Sequence, residues 1–283
     1  MQNYLKPEDD LLTTRSAGEW AAIKLDYLVR YINVFETAMR GKWSIRNYID
    51  LMAGPGKNRI RETDAVLLGS PLLALTTKYA FTGYFFADLS DENTTALDKR
   101  CSASPFYDRV HIHPGDCNEI VREIVVQLKR DDRNSLNLAF LDPEGFELEW
   151  QTIAQLATIR RIDLIINYPQ GGLNRQMALS FQSNEETIVD RFFGDTEWRK
   201  IFAKHHGKEN FVHRQLMDHY KQKLQRLGYP DVRRDDETGD EPLIRNSKNA
   251  PLYRLLFASK SKLGNDFWQK ITRRDVSGQT RLF

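Results

Sequence analysis

The stretch of sequence that decides the fold is Asp50-Leu51-Met52-Ala53-Gly54-Pro55-Gly56, which follows the short apolar run Tyr48-Ile49. Glycines at such a turn let the backbone approach a ligand closely and adopt dihedral angles that other residues avoid. A dinucleotide site would add a third glycine and an immediate helix, so that the pyrophosphate meets the helix amino terminus. The chain instead continues from Lys57 to Leu68 as a predicted loop, which favours a ligand without phosphate groups.

Strand and helix patterns alternate on both sides of this stretch. An apolar stripe at helical spacing runs from Glu19 to Arg40, and Gly69-Ser70-Pro71 begins the next helix. Further strands are predicted at 84–87, 110–112, 138–141 and 162–166, and further helices at 92–100, 118–129 and 150–158. Repeated strand-then-helix units predict an α/β protein with a doubly wound, mostly parallel sheet, that is, a Rossmann-like fold.

The chain is predicted to divide into successive segments. Residues 1–44 form an N-terminal helical segment, and residues 45–169 form the Rossmann-like core. Residues 170–228 have two helical patterns and no clear strand, so we expect a helical insertion that recognises an acceptor or a partner. Residues 229–283 are expected to add an antiparallel edge to the sheet, then a final helix and tail.

Acidic residues follow the predicted strands at the positions where a doubly wound sheet binds its ligand. Asp88 is expected to accept hydrogen bonds from ribose hydroxyls, and Asp116 to bind an adenine amino group, cap the following helix, or do both. Asp142 comes directly after a wholly apolar strand, so its carboxylate must face a cleft or find buried donors. Glu144 and Tyr168 follow neighbouring strands and are expected to line the same cleft.

The chain resembles the three-Cys-motif partner protein family, TcmP. The resemblance is carried by Asp50 to Gly56, Gly69-Ser70-Pro71, Gly115-Asp116-Cys117-Asn118 and Asp142-Pro143-Glu144-Gly145. At the two ends it is carried by Trp20 and Lys24, and by Phe267-Trp268 with Gly278-Gln279 to Leu282-Phe283. It implies a class I methyltransferase-like fold and a partner protein with a cysteine motif, similar to radical S-adenosylmethionine enzymes. It does not identify a substrate.

Together, the glycine turn, the acids and the resemblance predict a methyltransferase that uses S-adenosylmethionine. The residues expected to bind the cofactor are Asp50, Ala53, Gly54, Gly56, Asp88, Asp116 and Asp142. Asp142, Glu144 and Tyr168 are expected to face the methyl acceptor, for which nucleic acid is one candidate. Enzymes that methylate amino groups of bases usually carry Asp-Pro-Pro-aromatic, whereas this chain has Glu144-Gly145 after Asp142-Pro143, which counts against a base as acceptor.

Two other functions stay open at this point. The altered Asp142-Pro143-Glu144-Gly145 segment is compatible with a non-catalytic partner protein that keeps the fold. His111 and His113 lie on one face of a predicted strand and, with Asp116 and Asp142, could form the metal site of a hydrolase or nuclease. We expect no metal, because this cluster overlaps the predicted adenine pocket.

Composition excludes several classes of protein. The net charge of +2 over 283 residues lacks the overall basic character of a dedicated nucleic-acid binder, so any basic surface must come from local pairs such as Arg160-Arg161. The two cysteines, Cys101 and Cys117, are too few for a disulfide framework, which favours the cytoplasm. We also expect neither a signal peptide nor a membrane-spanning segment.

Overall fold

The computed structural model describes residues 5–205, 209–230, 232 and 241–273. The strands are β1 (Arg15–Ala17), β2 (Ile45–Asp50), β3 (Lys57–Ile60), β4 (Val66–Leu68), β5 (Gly83–Asp88), β6 (Val110–Pro114), β7 (Ser135–Leu141), β8 (Ile162–Tyr168), β9 (Leu243–Arg245) and β10 (Pro251–Ala258). The helices are α1 (Trp20–Met39), α2 (Ser70–Leu75), α3 (Asp91–Cys101), α4 (Cys117–Lys129), α5 (Trp150–Leu156), α6 (Gln170–Phe181), α7 (Ile188–Phe193), α8 (Glu197–His205), α9 (Glu209–Arg226) and α10 (Lys262–Thr272).

The main sheet has seven strands in the order β6-β5-β2-β7-β8-β10-β9. The strands from β6 to β8 are parallel, and β10 is antiparallel to both β8 and β9. The chain runs outward from β2 through β5 to β6 and then returns to β7 on the other side of β2. This order confirms the predicted doubly wound α/β fold with an antiparallel edge, and it places the reversal of strand order between β2 and β7.

Apolar side chains cover both faces of the sheet. One face packs against α1, α2, α3 and α10, with Tyr48, Phe86 and Phe140 completely buried between the sheet and these helices. The other face packs against α4, α5 and the helices from α6 to α9. Strands buried on both faces read as continuous apolar runs, which is why the sequence revealed them. No described helix is long and apolar enough to cross a membrane.

The segment from Lys57 to Leu68 is not the predicted loop, and that prediction was wrong. It forms a hairpin of β3 and β4, and β1 from the N-terminal segment adds to it in parallel to make a three-stranded sheet. The short strands of 3 and 4 residues carry too little pattern to be recognised alone. Their partner β1 lies about 40 residues away along the chain, since Arg15 pairs with Asn58.

The helical character predicted for 170–228 is confirmed, but the described part of this segment has four helices rather than two. Phe192 in α7 and Trp198 in α8 are completely buried and belong to the same apolar cluster as the sheet residue Ile166. The Trp198 indole and the Arg199 guanidinium both donate hydrogen bonds to Asp190. These tertiary contacts anchor the first turn of α8 to α7.

Replacing Gly56 with alanine is expected to destabilise the fold by about 2 kcal/mol or more. Gly56 has φ +87°, and a Cβ atom there would lie 2.9 Å from a Leu97 methyl carbon and 3.0 Å from Leu72 Cγ. Urea denaturation should show the loss, with Gly41→Ala as control because a Cβ at Gly41 meets nothing within 4 Å. An equal effect of both changes would show that Gly56 packing does not hold the turn.

Candidate active site

A cavity of about 620 Å³ lies at the carboxyl ends of β2, β5, β6 and β7. Its lining includes five carboxylates and two guanidinium groups, from Asp88, Asp116, Glu144, Glu147, Glu149, Arg15 and Arg191. Arg15 pairs with Glu144 at 2.6 Å and Arg191 with Glu149 at 2.9 Å. Three carboxylates are thus left without an ion pair among the described residues, and we call this space the acidic cavity.

Asp88 ends β5 and holds the glycine turn in place. Its Oδ2 accepts a hydrogen bond from the Gly54 amide at 2.8 Å, and its Oδ1 accepts from the Ser90 amide at 3.0 Å and from Asn93 Nδ2 at 2.9 Å. An ionised carboxylate has about four acceptor positions. Asp88 is half-buried and therefore retains one acceptor position for a ligand hydroxyl.

Gly54 leaves space for a ligand beside the turn. It has φ +62°, and the nearest atoms to an added Cβ would belong to the Arg15 side chain at 3.9 Å. Gly54 lines the acidic cavity, whereas Ala53 and Gly56 line a second cavity described below. The turn therefore separates two spaces, and β3 rather than a helix follows it directly along the chain.

Asp116 lies at the rim of the acidic cavity and caps α4, because its carboxylate accepts a hydrogen bond from the Asn118 amide at 2.8 Å. The predicted cap is therefore confirmed. Asp116 is exposed, so its second oxygen is open to a ligand. Asn118 continues the wall by donating to the Glu147 carbonyl at 2.8 Å.

A second cavity, of about 320 Å³, lies between the glycine turn, β1 and α1, and we call it the covered cavity. Asp142 forms its base and is 7% exposed. The carboxylate of Asp142 forms an ion pair with Lys24 Nζ at 2.5 Å and accepts a hydrogen bond from Asn167 Nδ2 at 2.7 Å. Asn167 also directs Nδ2 at the Pro143 carbonyl, and its buried Oδ1 has no hydrogen-bond partner in the part of the chain that the structure describes. This cavity can therefore accept a hydrogen bond from a ligand.

Arg15 stands between the two cavities, and the sequence analysis missed it. Arg15, Pro143 and Glu144 line both spaces, and the Arg15–Glu144 ion pair forms part of the wall between them. Burial opposes the charge of Arg15, but the nearby carboxylates of Asp142, Glu144 and Asp88 outweigh it and raise the pKa of Arg15. Arg15 belongs to a short strand with no sequence motif, so only its position in the fold reveals it.

Arg100 ties residues 9–17, the N-terminal strap, to the glycine turn. Its guanidinium makes two hydrogen bonds with Asp10, at 2.6 and 2.8 Å, and donates to the carbonyls of Thr13 at 2.9 Å and Pro55 at 2.6 Å. Arg100 is 4% exposed, and its hydrogen bonds hold the pKa of Asp10 well below its ordinary value. The strap thereby keeps Arg15 over both cavities.

Tyr168 does not line either cavity. Side chains alternate along β8, so Asn167 points toward the covered cavity and Tyr168 points into the opposite face of the sheet. Tyr168 is completely buried there against Phe192 and Tyr220, with ring centroids 5.8 and 5.5 Å away. Asn167, rather than Tyr168, occupies the predicted position in the cleft.

Asp50 lies beneath the glycine turn and is completely buried, so it lines neither cavity. It accepts weak hydrogen bonds from the Met52 amide and the Tyr48 hydroxyl, both at 3.4 Å. Burial, reinforced by the nearby charge of Asp142, raises the pKa of Asp50 to about 7. This position indicates that Asp50 supports the glycine turn from beneath.

The raised pKa of Asp50 predicts a pH dependence of stability. Between about pH 4 and 7 the folded protein keeps this proton and the unfolded chain releases it, so the free energy of unfolding falls as pH rises. Asp50→Asn removes this effect, and between pH 5 and 7 its stability relative to the unmodified protein should rise by up to about 3 kcal/mol. Urea denaturation at both pH values measures this, with the exposed Glu92→Gln as control; parallel profiles would contradict the assignment.

The described residues contain no group of three or more His, Cys, Asp or Glu side chains placed to hold a metal ion. His111 stacks on Phe85 with ring centroids 4.9 Å apart, and burial lowers the pKa of His113. The candidate metal set of His111, His113, Asp116 and Asp142 therefore supports no hydrolase or nuclease proposal.

Comparisons with known proteins find distant structural likenesses. The Legionella pneumophila protein LPL1258 has a TM-score of 0.45 at 13% identity, over 63% of this chain and 75% of that one. A Methanococcus maripaludis protein described as a candidate S-adenosyl-L-methionine-dependent methyltransferase has a TM-score of 0.34 at 15% identity, over 86% and 88% of the two chains. YjhP from E. coli has a TM-score of 0.32 at 10% identity, over 81% and 91%.

No protein-family model matches this chain, and no curated protein matches its sequence. The resemblance to the three-Cys-motif partner proteins, and the cysteine-motif partner that it implies, stay predictions. The function must therefore be inferred from the geometry and charge of the two cavities.

Proposed function

We propose that this protein binds S-adenosylmethionine in the acidic cavity and transfers its methyl group to an acceptor held in the covered cavity. The observation that carries the proposal is the charge of the acidic cavity, where Asp88, Asp116 and Glu147 lack ion pairs among the described residues. The sulfonium and ammonium groups of this cofactor are cations, whereas nucleotide cofactors carry phosphates that these carboxylates would repel.

The residues of the acidic cavity fit the parts of this cofactor. Asp88 retains an acceptor position for a ribose hydroxyl, and Asp116 offers one for the adenine amino group. The open space beside Gly54 admits a ligand chain next to the backbone. Arg15 now pairs with Glu144 and is placed to pair with the cofactor carboxylate instead, since guanidinium groups bind carboxylates in bidentate fashion.

When bound, this cofactor supplies an electrophilic methyl group, and the covered cavity supplies the groups that position an acceptor. Asn167 Oδ1 is buried and has no partner among the described residues, so a nitrogen or oxygen nucleophile that donates a hydrogen bond would satisfy it. Asp142 lies 2.7 Å from Asn167 Nδ2 and can orient the same nucleophile or accept its proton. Holding the nucleophile beside the cofactor would lower the barrier further by proximity and orientation.

Calorimetric titration tests the cofactor assignment directly. S-adenosylmethionine and its demethylated product should bind the purified protein saturably, and ATP should not, because the acidic cavity repels phosphates. Transfer is then assayed with tritium-labelled methyl groups, offering total RNA and a protein extract as acceptors. Absence of binding to folded protein would overturn the proposal, and binding without transfer to either extract would favour the non-catalytic alternative.

A further inference from the structure

The amino edge of the sheet, opposite the two cavities of the candidate site, concentrates positive charge. Two recesses of about 360 and 830 Å³ open there, and Lys42 lines both of them. We define the basic face as the seven cationic residues Arg40, Lys42, Lys78, Arg109, Arg160, Arg161 and Lys260, all of which line one or both recesses. They come from five separate stretches of the chain.

The cations of the basic face are not held in ion pairs within the described residues. None of the seven makes an ion pair with a carboxylate in the part of the chain that the structure describes. An eighth cation in the larger recess, Arg46, differs because Glu36 binds its guanidinium at 2.9 Å. At the opposite edge, Arg15 is paired with Glu144 and Lys24 with Asp142. The net charge of +2 thus conceals an uneven distribution.

Backbone carbonyls hold three of these cations in fixed positions. The bonds run from Arg109 to Phe81 O at 3.1 Å, from Arg161 to Arg133 O at 3.1 Å, and from Lys260 to Ala157 O and Ile159 O at 2.5 and 2.8 Å. A carbonyl orients a cationic group without cancelling its charge. The basic face is therefore organised in advance for an anionic partner, and less side-chain freedom is lost on binding.

The one acid that lines these recesses is buried. Among the residues that line the two recesses, Asp163 is the only Asp or Glu, and it is 7% exposed. Its carboxylate accepts a hydrogen bond from the Tyr31 hydroxyl at 2.7 Å. Aromatic rings lie between the cations, with Arg161 over Trp43 at 4.6 Å and Arg40 over Tyr79 at 3.9 Å. This mixture of cations and ring surfaces is typical of single-stranded nucleic-acid grooves.

We propose that the basic face binds the phosphate backbone of single-stranded nucleic acid. Its shape favours this partner over an anionic membrane, because the cations line recesses rather than a flat surface. The only exposed large apolar side chain in either lining is Leu263, so anchors for a lipid surface are lacking among these residues. The face lies about 20 Å from the acidic cavity along β7, and the proposal is independent of methyl transfer.

Fluorescence anisotropy with a labelled 20-nucleotide single-stranded RNA tests this proposal. The test variant is Lys42→Gln/Lys78→Gln/Arg160→Gln, since all three side chains are exposed and their loss should leave the fold intact. The matched control is Arg122→Gln/Lys200→Gln/Lys204→Gln, which removes three exposed charges from α4 and α8. Circular dichroism confirms that both variants are folded.

The unmodified protein and the control should bind this RNA at low salt, and the test variant should bind at least tenfold more weakly. The slope of log affinity against log salt should be smaller by about 2 in the test variant, at roughly 0.7 per lost phosphate contact. Absence of RNA binding, or equal weakening in both variants, would overturn the proposal. Binding to phosphatidylserine vesicles without binding to RNA would overturn it in favour of a membrane surface.

Discussion

Asp88→Asn should weaken the binding of S-adenosylmethionine between about tenfold and 100-fold, because a charge-assisted hydrogen bond contributes about 1.5–3 kcal/mol. The ribose would lose its hydrogen-bond acceptor, the carboxylate oxygen that faces the acidic cavity. An amide nitrogen would also meet the Gly54 or Ser90 amide, each of which now donates to Asp88 at 3.0 Å or less. With the nitrogen toward Gly54, the turn would keep only the bond from the Ala53 amide to the Ala87 carbonyl at the end of β5.

Calorimetry measures the affinity, and Asp91→Asn is the matched control. Asp91 lies three residues further along, at the exposed start of α3, and lines neither cavity, so its replacement makes the same change in charge away from the site. The control should bind S-adenosylmethionine like the unmodified protein. If Asp88→Asn also binds normally while remaining folded, the acidic cavity does not hold the ribose and the proposed orientation of the cofactor is wrong.

Arg100→Ala should lower the free energy of unfolding by about 3–5 kcal/mol, since it leaves the partners of a buried cation unsatisfied. Its guanidinium bonds Asp10 with two nitrogens and reaches the carbonyls of Thr13 and Pro55. The N-terminal strap should detach from the glycine turn and become a site of proteolysis. Arg15 would then lose its position over both cavities, so cofactor affinity should fall as well.

Urea denaturation and limited proteolysis followed by mass spectrometry measure these effects. Arg122→Ala, on the exposed face of α4, is the control and should change the free energy of unfolding by less than about 0.5 kcal/mol. Asp10→Ala combined with Arg100→Ala should cost less than the sum of the two single changes, because the residues share one interaction. Additive costs, or cleavage unchanged in the strap, would show that Arg100 does not anchor it.

The sequence by itself determined the α/β fold, the strands of the core and the positions of Asp88, Asp116 and Asp142. These features are local: buried parallel strands read as apolar runs, and a residue directly after such a strand lies at the carboxyl edge of the sheet. Asp50 and Tyr168 show the limit of this reasoning. Their positions along the chain suited a site, but burial and strand alternation direct both side chains away from the cavities.

The tertiary structure alone decided which charged groups meet. Arg15 pairs with Glu144 across 129 residues of chain, Lys24 with Asp142 across 118, and Arg100 with Asp10 across 90. The basic face likewise joins cations from distant stretches, which the sequence shows as single residues or short pairs. Periodicity reports how one element is buried, because it arises from neighbouring residues. Contacts between elements depend on the path of the whole chain in three dimensions, and a local sequence pattern contains no information about that path.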